Sequence, residues 1–266
     1  MPEFAANLSL MFTALPFLER FRPARKAGFT RVECLFPYGH PPAELKRRLD
    51  VQGQRLVLFN LPWGDWERGD RGLAADPGRV DEFRTQLPRA VEYALALGVD
   101  SLNCMAGNRV AGCGEARQEE VLVANLGHAA RRLARFGLRL LVEPIAERRL
   151  PGFFLNRADR ALALLERVGE ANVFLNLHLH PAEEGGEAPA AVLGRHLDRI
   201  GHLQVDGRPR PRQPGALDYP ALFRELDRRG YRGQVGLDFV PDIDTWAAPL
   251  LGGDGGFRPA PVAAWR

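Results

Sequence analysis

An α/β fold built as a single (β/α)₈ TIM barrel is the architecture this chain predicts, and three observations carry that expectation. Its 266 residues match the roughly 250 that such barrels use as one domain. Short apolar, β-rich runs of about five residues recur along it, as strands buried on both faces would require. Segments with helical spacing lie between most of these runs, which is the alternation that makes a parallel sheet.

The predicted strands, in order, are Ala5–Leu10, Thr30–Phe36, Arg55–Asn60, Asp100–Cys104, Leu138–Glu143, Val173–Leu177, His202–Val205 and Gln234–Phe239. Among the connectors, Val80, Phe83, Leu87, Val91 and Leu95 mark one helical face despite Pro88 in its middle. Val121, Leu122, Leu126, Ala129, Leu133 and Phe136 mark a second, and 158–168 and 219–229 complete the clearer helices. Gly28, Gly98, Gly137 and Gly230 each stand between a helix and a strand, where a left-handed residue ends the helix and turns the chain back. A doubly wound open sheet is the rival architecture, but no GxGxxG follows the first strand. The barrel domain is assigned to residues 1–250. Residues 251–266 form a Gly/Pro-rich C-terminal tail with a glycine run at 252–256, either a loose end or an arm that docks elsewhere.

Composition narrows the function classes. At 45% hydrophobic, 26% charged and 9% aromatic the chain is an ordinary globular protein, which excludes disorder and collagen-like repeats. No run approaches the roughly 18 apolar residues of a membrane span, and no signal-peptide pattern opens the sequence, so a cytoplasmic location is expected. The net charge is only +3, carried almost wholly by arginine, and the densest basic cluster (Arg208, Arg210, Arg212) is broken by prolines. That argues against a nucleic-acid surface. Cys34, Cys104 and Cys113 lack CxxC spacing and read as reduced thiols.

Catalytic residues of a barrel sit at the C-terminal ends of its strands. The residues closing seven of the runs are Glu33, Asn60, Asn103, Glu143, His178, Gln204 and Asp238. Every one is polar. Glu143 and Asp238, facing each other across the barrel mouth, could remove a proton on one side of a substrate carbon and return it on the other; the structural alternative is a core-edge carboxylate paired with an arginine. Strand alternation puts His178 and His180 on one face, as metal ligand and substrate contact or as a metal-free hydrogen-bonded pair. Gln204 is a neutral oxygen ligand or a plain hydrogen-bonding group. Glu33, Asn60 and Asn103 are assigned to substrate binding or its support. Two aromatic loops, with Trp63 and Trp66 in one and Phe153 and Phe154 in the other, are candidate pocket walls or local packing.

Seven motifs in order resemble the hydroxypyruvate isomerase family, which includes the 2-oxo-tetronate isomerases and belongs to the xylose-isomerase-like barrels. They are Ala6-Asn7-Leu8-Ser9, Val32-Glu33 with Phe36-Pro37-Tyr38, Asn60-Leu61-Pro62 with Gly64-Asp65-Trp66, Asn103-Cys104, Glu143-Pro144-Ile145, Pro151-Gly152-Phe153, and Ile200-Gly201-His202-Leu203-Gln204. The match runs in order from about residue 4 to 241, nearly the whole chain. The resemblance implies metal-assisted aldose–ketose isomerisation of small hydroxy-carbonyl acids through an enediolate, with hydroxypyruvate as the type substrate. Glu143 and Asp238 would be the proton-transfer pair, and Glu143, His178, Gln204 and Asp238 the ligands of a divalent ion (Mn, Mg, Co or Zn). Glu33, Asn60, Asn103 and His180 would contact substrate. Against the family pattern, Asp238 stands for a glutamate, His178 for an aspartate, Phe59 for a histidine and Ala146 for an asparagine, and Gly215–Asp218 replaces a longer loop. A histidine ligand tilts the metal away from Mg.

The expected partner is therefore a small molecule, not nucleic acid or a membrane, with homo-oligomerisation left open. The alternative reading is a barrel that has lost catalysis and serves as a binding or scaffold protein. A nuclease of the related endonuclease branch would want a cluster of several metals.

Overall fold

The computed structural model describes residues 3–179, 189–205 and 219–240. Eight parallel strands close into a barrel in sequence order: β1 (Glu3–Asn7), β2 (Arg31–Glu33), β3 (Arg55–Asn60), β4 (Ser101–Met105), β5 (Arg139–Glu143), β6 (Val173–Leu179), β7 (Ile200–Val205) and β8 (Gln234–Leu237). Helices α1 (Phe21–Lys26), α2 (Pro42–Gln52), α3 (Val80–Leu97), α4 (Glu115–Ala134), α5 (Ala158–Val168), α6 (Pro189–His196) and α7 (Tyr219–Arg228) lie between them. The connection from β1 to α1 and that from α6 to β7 each carry a one-turn 3-10 helix.

The strands are buried on both faces because helices cover the outside and side chains fill the inside. All residues of β4 and β7 are buried, which is why these strands read as continuous apolar runs instead of alternating ones. The helices turn their periodic face inward: Phe83, Leu87, Val91 and Ala94 of α3, and Leu122, Leu126, Ala129 and Leu133 of α4, are buried. Pro88 sits inside α3 without ending it. Gly28, Gly98, Gly137 and Gly230 all take positive φ, as the helix-to-strand turns demanded.

The boundaries differ most where polar groups intervene. The first strand ends at Asn7, not Leu10, because the Asn7 carbonyl accepts from the amides of Leu10 and Met11 and its side-chain oxygen accepts from the Ser9 amide. The second stops at Glu33, where the register slips between Val32 and Glu33 and the Leu35 amide turns to the Ser9 hydroxyl. The eighth ends at Leu237, yet the Asp238 amide still donates to the Val205 carbonyl, so Asp238 keeps its place at the strand end. The predicted tail at 251–266 and the Gly215–Asp218 loop lie outside the described residues. Among the described residues, no helix is long and apolar enough to cross a membrane.

Candidate active site

Parallel pairing puts the polar strand ends in one layer. Asn7 is level with Glu33, Asn60 with Asn103, and His178 with Gln204. All eight strands therefore deliver a buried polar side chain to the C-terminal mouth, and these side chains bond to one another in two connected networks.

The first network centres on Glu33, which is 1% exposed. Its carboxylate accepts from Gln204 Nε2 (2.8 Å), His202 Nε2 (2.8 Å) and Asn7 Nδ2 (3.3 Å). Gln204 is oriented in turn by Asn176, whose Nδ2 donates to the Gln204 Oε1 at 2.8 Å. The Glu33 carboxylate fills the space a side chain at Gly236 would take, since a Cβ there would lie 2.4 Å from it. Glu33 is thus enclosed by donors beneath the mouth. The network places it as a floor that positions other groups.

The second network carries the two candidate catalytic carboxylates. Glu143, at the end of β5, accepts from Asn103 Nδ2 (2.5 Å) and from His178 Nε2 (2.6 Å). Asn103 Nδ2 also donates to Asn60 Oδ1 at 2.9 Å. Asp238 accepts from Asn7 Nδ2 at 2.8 Å, which links the two networks. Between Glu143 and Asp238 stand the imidazole of His178 and a group the sequence did not single out, the guanidinium of Arg149. Arg149 Nη1 donates to His178 Nδ1 at 2.8 Å, and Arg149 Nη2 donates to Asp238 Oδ2 at 3.3 Å. His178 Nδ1 lies 4.0 Å from the same Asp238 oxygen.

These surroundings push the two carboxylates apart. Burial drives Glu143 upward, but the hydrogen bond and charge of His178, the Asn103 amide and Arg149 together hold it below the usual glutamate range. For Asp238, burial prevails and raises it to about 6; Glu33 and Glu143 add to the rise, and His178 and Arg149 oppose it. Two carboxylates whose environments separate their proton affinities are suited to opposite roles, one as base and one as acid.

Arg149 is held in place by its loop. The segment after β5 is tied to its surroundings by Ile145 N to Leu155 O (3.0 Å), Gly152 N to Glu147 Oε1 (2.9 Å) and Phe154 N to Gly107 O (2.8 Å). Phe153 and Phe154 are fully buried, so they anchor this loop in the core and do not wall the pocket. In the other aromatic loop, Trp63 stacks on Trp66 with ring centroids 4.1 Å apart, and Arg71 lies over Trp66.

The expected four-ligand metal set does not suit a cation in this arrangement. His178 has both ring nitrogens engaged, Gln204 turns its amide nitrogen to Glu33 and its oxygen to Asn176, and Asp238 faces a guanidinium. Among the described residues, no three His, Cys, Asp or Glu side chains are grouped as a metal ion would require. Of the remaining expectations, Asn103 lies beside Glu143 and Asn60 beside Asn103, and the Asn103 side-chain Oδ1 is buried without a hydrogen-bond partner among the described residues. His180 lies outside the described residues.

Sequence reasoning passed over Asn7, Asn176, His202 and Arg149. Alternation within β6 and β7 carried a signal for two of them, because Asn176 shares a face with His178 and His202 with Gln204. Asn7 was hidden by a strand end drawn three residues too late. Arg149 had no local signal, being one of several loop arginines.

Comparison with known proteins gives the family of the fold. Residues 21–250 match the family described as Xylose isomerase-like TIM barrel. A 2-oxo-tetronate isomerase of Cupriavidus necator is 42% identical over 95% of this chain and 100% of its own length. A hydroxypyruvate isomerase of Escherichia coli is 37% identical over 93% of this chain and 96% of its own. Among solved structures, one from Brucella melitensis described as AP endonuclease, family 2, superposes with a TM-score of 0.85 at 41% identity, covering 91% of this chain and 94% of the other.

Proposed function

We propose that this chain, an isomerase that belongs to the hydroxypyruvate isomerases and 2-oxo-tetronate isomerases within the xylose isomerase-like TIM barrels, moves the carbonyl of small hydroxy-carbonyl acids to the adjacent carbon, an aldose–ketose interconversion in the case of hydroxypyruvate, by proton transfer through an enediolate. The observation that carries this reading is the pair Glu143 and Asp238, two buried carboxylates at the ends of β5 and β8 with His178 between them.

Glu143, held ionised by His178 and Asn103, is the base that takes the proton from the hydroxyl-bearing carbon next to the substrate carbonyl. Asp238, whose raised affinity lets it carry a proton near pH 6, delivers one to the former carbonyl carbon. The hydroxyl proton must also move from one oxygen to the other. His178, facing both carboxylates, is placed to relay it and to return the pair to its starting state. The buried Asn103 side-chain Oδ1, without a partner among the described residues, supplies an acceptor for a substrate hydroxyl. The substrate class follows that of the relatives: hydroxypyruvate, yielding tartronate semialdehyde, or a 2-oxo-tetronate. A cytoplasmic setting fits the buried free thiols of Cys34 and Cys104.

An endonuclease would need a metal cluster that the described mouth residues do not form. The deciding experiment is proton NMR of hydroxypyruvate with the enzyme in deuterated buffer. Appearance of the aldehyde product with solvent deuterium at the carbon bearing the new hydroxyl is expected. Binding of substrate without turnover or exchange would favour the scaffold reading and end this one.

A further inference from the structure

Among the described residues, Arg149 is the arginine whose guanidinium touches the reacting groups at the mouth. Its guanidinium spans His178 Nδ1 (2.8 Å) and Asp238 Oδ2 (3.3 Å), and its charge also acts on Glu143. A divalent ion held by Glu143, His178, Gln204 and Asp238 would have to displace this guanidinium. It would also have to turn the His178 ring or break the Gln204 bridge. That bridge is locked from both sides: Glu33 can only accept, so it fixes the Gln204 nitrogen, and Asn176 donates to the oxygen.

We propose that Arg149 is the built-in cation of this site, filling the place of a divalent ion and binding the carboxylate or developing enediolate oxygen of the substrate, so that the chain needs no metal. This rests on the isomerase reading for the substrate but not for the metal. Charge balance supports it. Among the expected ligands only Glu143 and Asp238 are carboxylates, and the Arg149 guanidinium already lies against Asp238 and acts on Glu143 in a buried setting. The guanidinium is planar, always charged and able to donate to two oxygens at once, which suits a 2-oxo acid whose carboxylate and carbonyl lie side by side. The loop that carries it is pinned by buried Phe153 and Phe154, so the charge is pre-positioned and the substrate does not have to recruit it.

The test uses Mn²⁺ as the probe, followed by electron paramagnetic resonance on the full chain without substrate. The wild type is expected to leave Mn²⁺ free up to about millimolar concentrations, and its turnover of hydroxypyruvate is expected to survive a chelator. Arg149→Ala, with Arg149→Met as a bulkier second variant, should bind one Mn²⁺ at least tenfold more tightly than the wild type, because removing the guanidinium uncovers Asp238 and His178. Thermal melts confirm that each variant is folded. Arg149→Lys keeps the charge but loses the fork, and should raise KM more than it lowers kcat.

Stoichiometric Mn²⁺ on the wild type would overturn the proposal, and so would variants that bind Mn²⁺ no better than the wild type. The metal titration needs no turnover. A chain that fails to isomerise would still give a clear answer about Arg149, and a failed Arg149 proposal would leave the isomerase reading standing.

Discussion

Three buried carboxylates meet at the mouth of this barrel, and only two of them are arranged for chemistry. On the β2–β7 side, Glu33 is surrounded by Gln204, His202 and Asn7, and the missing side chain of Gly236 makes room for it. On the β5–β8 side, Glu143 and Asp238 share His178 and Arg149, groups that can exchange a proton or yield to an anion. Depth does not separate the two sides, since all three carboxylates are buried. The difference lies in what each carboxylate faces. A charge fixed by amides and a buried imidazole is structural, whereas one that faces an imidazole and a guanidinium together is positioned to react.

The largest effect that would break this contrast is on turnover. Glu143→Gln keeps the shape and removes the base, so kcat should fall by about 10³-fold or more, within the range that general base catalysis supplies. The variant should fold normally, as seen by circular dichroism. An active variant would move the base to another residue.

Glu33→Gln should show the opposite pattern. An amide at this position sets one donor against the three that converge there and leaves the His202 imidazole without its carboxylate. Breaking a buried pair in this way costs about 3 kcal/mol. The urea midpoint should drop accordingly, while kcat changes less than tenfold. If kcat collapses and the midpoint holds, Glu33 belongs to the reactive side.

Much of this contrast was visible in the sequence, and the part that was not has a physical cause. Polar residues closing apolar runs marked Glu33, Asn60, Asn103, Glu143, His178, Gln204 and Asp238, because a buried strand end tolerates a polar group only where something satisfies it. The sequence could not show which group satisfies which. That depends on barrel closure, which brings Asn7 and Asp238, 231 residues apart in the chain, to 2.8 Å. Arg149 was invisible for the same reason: a loop arginine acquires meaning only when the loop is pinned over the mouth. The strand ends were misjudged where a side chain, such as that of Asn7, captured the next turn.

Gly236→Ala probes the floor without touching a charge. The new Cβ would press on the Glu33 carboxylate oxygens at 2.4 and 2.5 Å, so the strand or the carboxylate must shift. Overpacking of this kind costs about 1–3 kcal/mol. Because the two residues are neighbours, the loss should be non-additive with that of Glu33→Gln. A double-mutant cycle in urea checks it, and simple additivity would mean that Gly236 is not shaped by Glu33.

The last effect, a dependence on pH, sharpens the comparison most. Asp238 is raised in the folded chain from 3.8 to about 6, chiefly by burial. Below pH 4 both folded and unfolded chains carry its proton, and the group costs nothing. As pH rises from 4 to 6 the unfolded chain releases that proton while the folded chain still holds it, so folding loses stability; above 6 the full cost is present. Asp238→Asn removes the titration. The variant should therefore gain stability over the wild type as pH climbs from 4 to 6, by about 3 kcal/mol, and keep a constant advantage above that. It should do so while losing turnover, since the proton that Asp238 holds at a cost in stability is the one it is proposed to deliver. A pH series of urea melts on both proteins measures the difference. A flat difference across pH 4 to 6 would mean that Asp238 is as well satisfied as Glu33, and the two sides of the mouth would no longer differ in kind.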